Sequence, residues 1–200
     1  MPKGQTKDFA GAKARSLVRR ANADESQNQL KRDVYTEKMI LRMTDWCDSQ
    51  GLGEDTQNTV ALGKLQGHLF IAAQHGDVKY DAEEMKGTFV ADTIHDCKNR
   101  HKGLHAEMMI VQYAVQKLGF DRKLLADLGL MIASTKGCCP DCSGWMNEHR
   151  IPHTPCSGKP TNQWMHPLTG STYEVKKNFK SYTRVKDKTK FLESEIIKWD

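Results

Sequence analysis

At 200 residues, with 38% hydrophobic and 28% charged side chains, the chain is long enough for one domain with a true core and has the composition of a water-soluble globular protein. No run reaches the roughly eighteen apolar residues of a membrane span, and the basic N-terminus lacks the apolar segment of a secretion signal. These features exclude membrane-spanning classes and predict a cytoplasmic protein with no membrane partner. The net charge of +5 is held at the ends: Lys3, Lys7, Lys13, Arg15, Arg19 and Arg20 stand against Asp8 alone, and a second basic run lies between Lys176 and Lys190. Such runs suit phosphate partners, and a solvated surface is the competing reading.

Residues 1–25 read as a basic arm, a frayed helix or disordered segment ahead of a folded domain over 26–200. From Gln27 to Ser49, Leu30, Val34, Ile40, Leu41, Met43 and Cys47 recur at helical spacing, and Gly51-Leu52-Gly53 ends the helix. Two apolar runs, Thr59 to Leu65 and His68 to Ala73, flank Gln66-Gly67. They predict a hairpin whose glycine supplies the positive φ of a tight turn. Residues 76–103 are polar, with a short strand expected at Thr88 to Ala91; a connection that long tends to be functional.

Leu104, Met108, Val111, Ala114, Val115 and Leu118 mark a helix that Gly119 stops. A short helix follows over Asp121 to Leu128, then a buried strand from Gly129 to Thr135 and a helix from Cys139 to Arg150. Ile151 to Cys156 reads as a weak strand because Pro152 and Pro155 interrupt it. A loop around Trp164, Met165 and His166, a strand over Thr172 to Val175 and a helix over Thr189 to Trp199 complete the chain. The order predicts an α/β fold with a mixed sheet flanked by helices, since hairpin-joined strands run antiparallel and helix-joined ones can run parallel.

Six cysteines, Cys47, Cys97, Cys138, Cys139, Cys142 and Cys156, do not look like a disulfide framework: three crowd together, and a chain of this size needs no staples. Metal binding in a reducing compartment accounts for them better. His105-Ala106-Glu107 reads as H-x-E, and Cys139-Pro140-Asp141-Cys142 reads as C-x-x-C. Each half opens a predicted helix, and a buried strand lies between. Catalytic zinc takes three protein ligands and leaves a fourth position for water. The two sulfurs lie on one turn of helix, at an N-terminus that favours thiolate. Cys138 is four residues from Cys142, so spacing alone leaves it open as an alternative to Cys139.

This pairing resembles the cytidine deaminase-like superfamily, over roughly Thr59 to Arg150 and in that family's element order. Within it the chain looks most like the bacterial toxin-type deaminases that act on nucleic acid. The resemblance implies a three-layer α/β/α fold around a central mixed sheet of about five strands. It also implies His105, Cys139 and Cys142 as Zn2+ ligands and Glu107 as the proton shuttle. The expected reaction is hydrolysis of cytosine to uracil, with water added at C4 and Glu107 protonating N3 and then the departing amine. One departure stands out: the family commonly has proline just before the first cysteine, whereas here Cys138 precedes it and Pro140 follows.

Gln74 and His75, at the end of the second hairpin strand, occupy the place where related deaminases contact the substrate. Ala106, inside the H-x-E, and Trp164 and His166 in the late loop are further candidate substrate contacts, against a plain packing role for each. Nucleic acid, with single-stranded DNA first, is the expected substrate partner; free cytidine and other nucleobases are the alternatives. A toxin-type protein further implies a dedicated immunity-type inhibitor and delivery to another cell by a specialised secretion system. Two other readings of the same residues compete. A thioredoxin-like dithiol explains C-x-x-C and leaves the H-x-E without a task. A closed structural zinc, with Cys138, Cys97, His149 or His153 as fourth ligand, leaves Glu107 without one.

Overall fold

The computed structural model describes residues 8–52, 58–98, 101, 103–157, 163–178 and 181–186. The chain divides into two compact units, Met1–Met39 and Ile40–Asp200. Helix α1 (Asp8–Ser49) begins in the first unit and ends in the second. It starts far earlier than the apolar periodicity indicated, because residues 8–49 hold no proline, a single glycine and many strong helix formers.

In the second unit the hairpin forms as expected, with β1 (Val60–Leu65) and β2 (His68–Ala73) pairing from Val60↔Ala73 to Leu65↔His68. The left-handed residue of its turn is Gln66 (φ 53), not the glycine. Gly67 answers a different need, since a Cβ there would run into the Asp92 carboxylate.

Helix α2 (Ala82–Phe89) is fixed by local chemistry: the Asp81 carboxylate accepts from the Glu83 and Glu84 amides, and Val90 (φ 50) closes the far end. Residues 88–91, expected as a strand, are therefore the end of α2 and its cap. The strand comes a few residues later as β3 (Thr93–Asp96), parallel to β2.

Helix α3 (Ala106–Gln116) and strand β4 (Met131–Ser134) lie where the sequence put them. Between them, residues 122–129 form successive turns instead of the expected helix, closed by the Leu128 amide on Leu124 O and the Leu130 amide on Leu125 O. Helix α4 (Pro140–Glu148) follows β4, with proline in its first turn, where no amide is missed. Strands β5 (Gln163–Met165), β6 (Thr172–Asn178) and β7 (Ser181–Lys186) make a separate antiparallel meander. The expected closing helix at 189–199 lies outside the described residues.

The main sheet is mixed and four-stranded, in the order β3-β2-β1-β4. Beside β4, the Ile132 amide bonds Pro152 O and the Thr154 amide bonds Ile132 O, but the contact stays an isolated bridge to His153. Pro152 and Pro155 have no amide hydrogen to extend it into a ladder.

Runs of consecutive buried residues in β1, β2 and β4 mean that both faces of the sheet are covered, because alternate residues point to opposite sides. Ala61, Leu65, Phe70, Ala72 and Ile132 share a core with α3. Gly63 admits that helix closely, for a Cβ there would stand 2.7 Å from Ile110 Cγ2. Val60, Leu62, Leu69, Ile71, Met131 and Ala133, on the other face, are buried as well.

The pairing also fixes where a site can form. β1 is antiparallel to both β2 and β4, and β3 is parallel to β2, so β2, β3 and β4 all point one way. Their carboxyl ends share one sheet edge, where ligands of open α/β sheets gather.

Candidate metal centre

His105 stands at the N-cap of α3 and Cys139 at the N-cap of α4, both in extended backbone, and Cys142 is on the first turn of α4. His105 Nδ1 lies 3.3 Å from the Cys139 sulfur and 3.3 Å from the Cys142 sulfur. The three ligand atoms all fall within 4.8 Å of one another, and all three residues are buried. Ligands on a tetrahedral zinc, at bond lengths of about 2.0 to 2.3 Å, stand roughly 3.5 Å apart, so the trio needs little adjustment to hold an ion. Two sulfurs and an imidazole also form the soft, closed-in donor set that zinc favours.

Among the described residues no other His, Cys, Asp or Glu joins this cluster. The proposed fourth ligands are engaged elsewhere. His149 Nδ1 lies 2.9 Å from Trp145 O, with its ring stacked on that indole at 3.8 Å. His153 sits between Ser143 Oγ and Ile151 O, and Cys97 points its thiol at His95 O. Cys138 is fully buried, and its thiol pKa is raised by that burial and then by the nearby Glu107 carboxylate. The geometry thus brings Cys139, not Cys138, into the cluster.

Without an ion the trio is electrostatically coupled. A hydrogen bond from Cys142, and then the bond to His105, hold the Cys139 sulfur as thiolate against its burial, with a pKa lowered to about 4. Burial, then the bond to Cys139, raises Cys142 well above the usual thiol range. Burial opposes protonation of His105, but Cys139, Glu107 and Asp141 outweigh it and lift the imidazole above 6.5. Glu107, only 3% exposed on the first turn of α3, is raised chiefly by burial, with its own amide, His105 and Cys138 pulling the other way.

The candidate substrate contacts distribute as follows. Ala106 is fully buried at the first position of α3. Gln74 and His75 lie at the shared carboxyl edge and line a cleft of about 380 Å³ with Asp96 and Lys98. His75 is fixed by Asn58, whose side chain donates to His75 O and accepts from its amide. Lys136 Nζ binds Asn58 O at 2.6 Å, so the approaches to β1, β2 and α4 are tied together. Lys136 opens the stretch that holds C-x-x-C, whereas Asn58 is part of no motif and the sequence carried no signal for it.

Trp164 is 2% exposed, and its indole N–H meets the Cys142 sulfur at 3.3 Å. His166 takes a contact of 3.2 Å from Trp145 Nε1. Both residues line a groove of about 500 Å³ along the outer side of α4, together with Arg122, Lys123 and Asp141. No described helix is long and apolar enough to cross a membrane. No family model matches the chain, and neither a curated protein nor a solved structure does so.

Proposed function

We propose that the chain is a zinc-dependent hydrolytic deaminase that converts cytosine to uracil in nucleic acid, with single-stranded DNA as its first substrate. The observation that supports it most is the three-ligand cluster with the buried Glu107 two residues from His105 and, among the described residues, no further metal-binding side chain closing the set. A closed structural site would recruit a fourth ligand and has no use for a buried carboxylate. A dithiol redox centre does not call for an imidazole in contact with both sulfurs.

A zinc ion held there supplies a water acidified to near neutral pH. The protein's own part is proton traffic. With zinc bound, the Glu107 carboxylate would accept one proton from water and donate it to ring N3 as hydroxyl adds at C4; it would then move the proton of the new C4 hydroxyl to the amine, so that ammonia departs and the C4 carbonyl forms. Burial keeps its pKa above that of an ordinary carboxylate, which favours both the acceptance and the return of the proton.

The cytidine deaminase-like architecture belongs to this reading. Its finer form is three layers with residues 151–156 as the fifth strand, and the bridge at Ile132 supports it. A nucleic-acid partner is favoured by the basic ends, and an inhibitor protein and delivery by secretion go with a toxin role. The test is a product assay of the zinc-loaded chain on single-stranded DNA, duplex DNA, RNA and free cytidine. Uracil in single-stranded DNA is expected. Turnover of free cytidine alone removes the nucleic-acid part, and turnover of none of the four overturns the proposal.

A further inference from the structure

We propose that Trp164 is a positioning residue of the metal centre, acting through the Cys142 sulfur rather than on substrate. The inference rests on the reading of His105, Cys139 and Cys142 as metal ligands. Besides the contact to His105 Nδ1, each sulfur of the pair meets an N–H. Cys139 takes it from the Cys142 amide, at 3.4 Å, as part of the start of α4. Cys142 takes it from the Trp164 indole, at 3.3 Å, across twenty-two residues of chain.

The donor is held firmly. Met165, the next residue on β5, bonds Gly103 O at 2.8 Å, two positions before the ligand His105. The buried Gln112 amide of α3 donates to Pro167 O at 2.9 Å. Trp145 of α4 reaches His166 at 3.2 Å. The segment bearing Trp164 is thus fastened to the helices that carry all three ligands.

In a buried site a thiolate has no water to spread its charge, so an N–H aimed at it acts as a charge-assisted hydrogen bond. Sulfur that shares its lone pairs with an N–H gives less of them to the ion. Two bare thiolates would nearly cancel a divalent charge, and the indole restores part of the ion's pull on a bound oxygen. Partners of this kind are worth about 10- to 100-fold in metal affinity or activity.

The test uses the full chain loaded with cobalt(II), whose thiolate-to-metal absorption reports the energy of the sulfur lone pairs. In Trp164→Phe the band should move to longer wavelength, because the sulfur lone pair released from the N–H lies higher in energy. Because phenylalanine could loosen a buried corner, benzothienylalanine at position 164, which keeps the shape and lacks the N–H, must give the same shift. Trp46→Phe, which changes an indole that meets Phe89 and Glu84, should leave the band in place. An unmoved band in the benzothienylalanine variant overturns the proposal, and so does an equal shift in Trp46→Phe. If the wild-type chain takes up no cobalt or zinc, the metal-centre reading itself fails.

Discussion

At the scale of single residues, Glu107 and the three ligands make separable predictions. Glu107→Gln keeps the volume and removes the carboxylate. One equivalent of zinc should remain by metal analysis, while turnover falls by about 10²- to 10⁴-fold, the usual worth of a positioned acid–base group. The ligands predict a pH dependence. His105 and Cys142 both have raised pKa values, so each keeps to higher pH than usual the proton that an incoming ion must displace, whereas Cys139 loses its own well below the usual thiol range. Zinc affinity should therefore climb as pH rises, by about a hundredfold per pH unit while both protons are in place. Competition with a chelator across a pH series checks it, and a flat profile contradicts the coupling.

These four side chains were legible because they fall inside two short patterns, each tied to a helix start. The indole on Cys142 was not. Nothing in the spacing of Trp164 distinguishes a donor to sulfur from a ring that stacks on a base, since the contact is made only when β5 folds back beside Gly103. Spacing left Cys138 and Cys139 as alternatives, and the ligand atoms that come together are those of His105, Cys139 and Cys142.

At the scale of elements, strong periodicity gave reliable reading. The β1–β2 hairpin, α3, β4 and α4 are each long enough, or apolar enough, for pattern to decide. Short polar segments gave poor reading. α2 depends on one carboxylate cap, and the turns at 122–129 carry a helical apolar pattern without completing a helix.

The β2–β3 pairing, invisible from sequence, creates a testable feature. His68 Nδ1 lies 3.0 Å from His95 Nε2, and the His95 ring stacks on Phe70 at 5.1 Å. Burial, then the neighbouring His68, lowers the His95 pKa below 6.5. Between that folded value and 6.5 the unfolded chain binds the proton that the folded chain refuses. Stability is thus full above 6.5 and drains as pH falls through the folded pKa. His95→Phe, which keeps the stack, should flatten the loss of melting temperature between about pH 7 and pH 5. An unchanged slope would assign the loss to other groups.

At the scale of the whole molecule, all candidate ligands and both sheets belong to the unit Ile40–Asp200. Removing residues 1–39 should leave zinc content and the melting transition of that unit in place. The last turns of α1 are a different matter. Met43, Trp46 and Cys47 are buried, Trp46 meets Phe89 edge-on at 5.9 Å, and its indole reaches Glu84. Trp46→Ala should cost about 3 to 5 kcal/mol by denaturant unfolding, the usual penalty for emptying so large a buried site. A truncation that also loses zinc, or a Trp46→Ala variant as stable as wild type, would contradict this division.

Finally, His105 and Cys139 each occupy the residue at which a helix begins, and this governs how the chain tolerates changes of length. An inserted residue ahead of either helix, in the connections 97–104 or 135–138, leaves the angular spacing of His105 and Glu107, and of Cys139 and Cys142, as it is. One inserted between 105 and 107, or between 139 and 142, rotates Glu107 or the second sulfur by about 100° around its helix axis. Length variants of this protein should therefore keep each half of the ligand pattern when they fall in the connections and break it when they fall at those two steps.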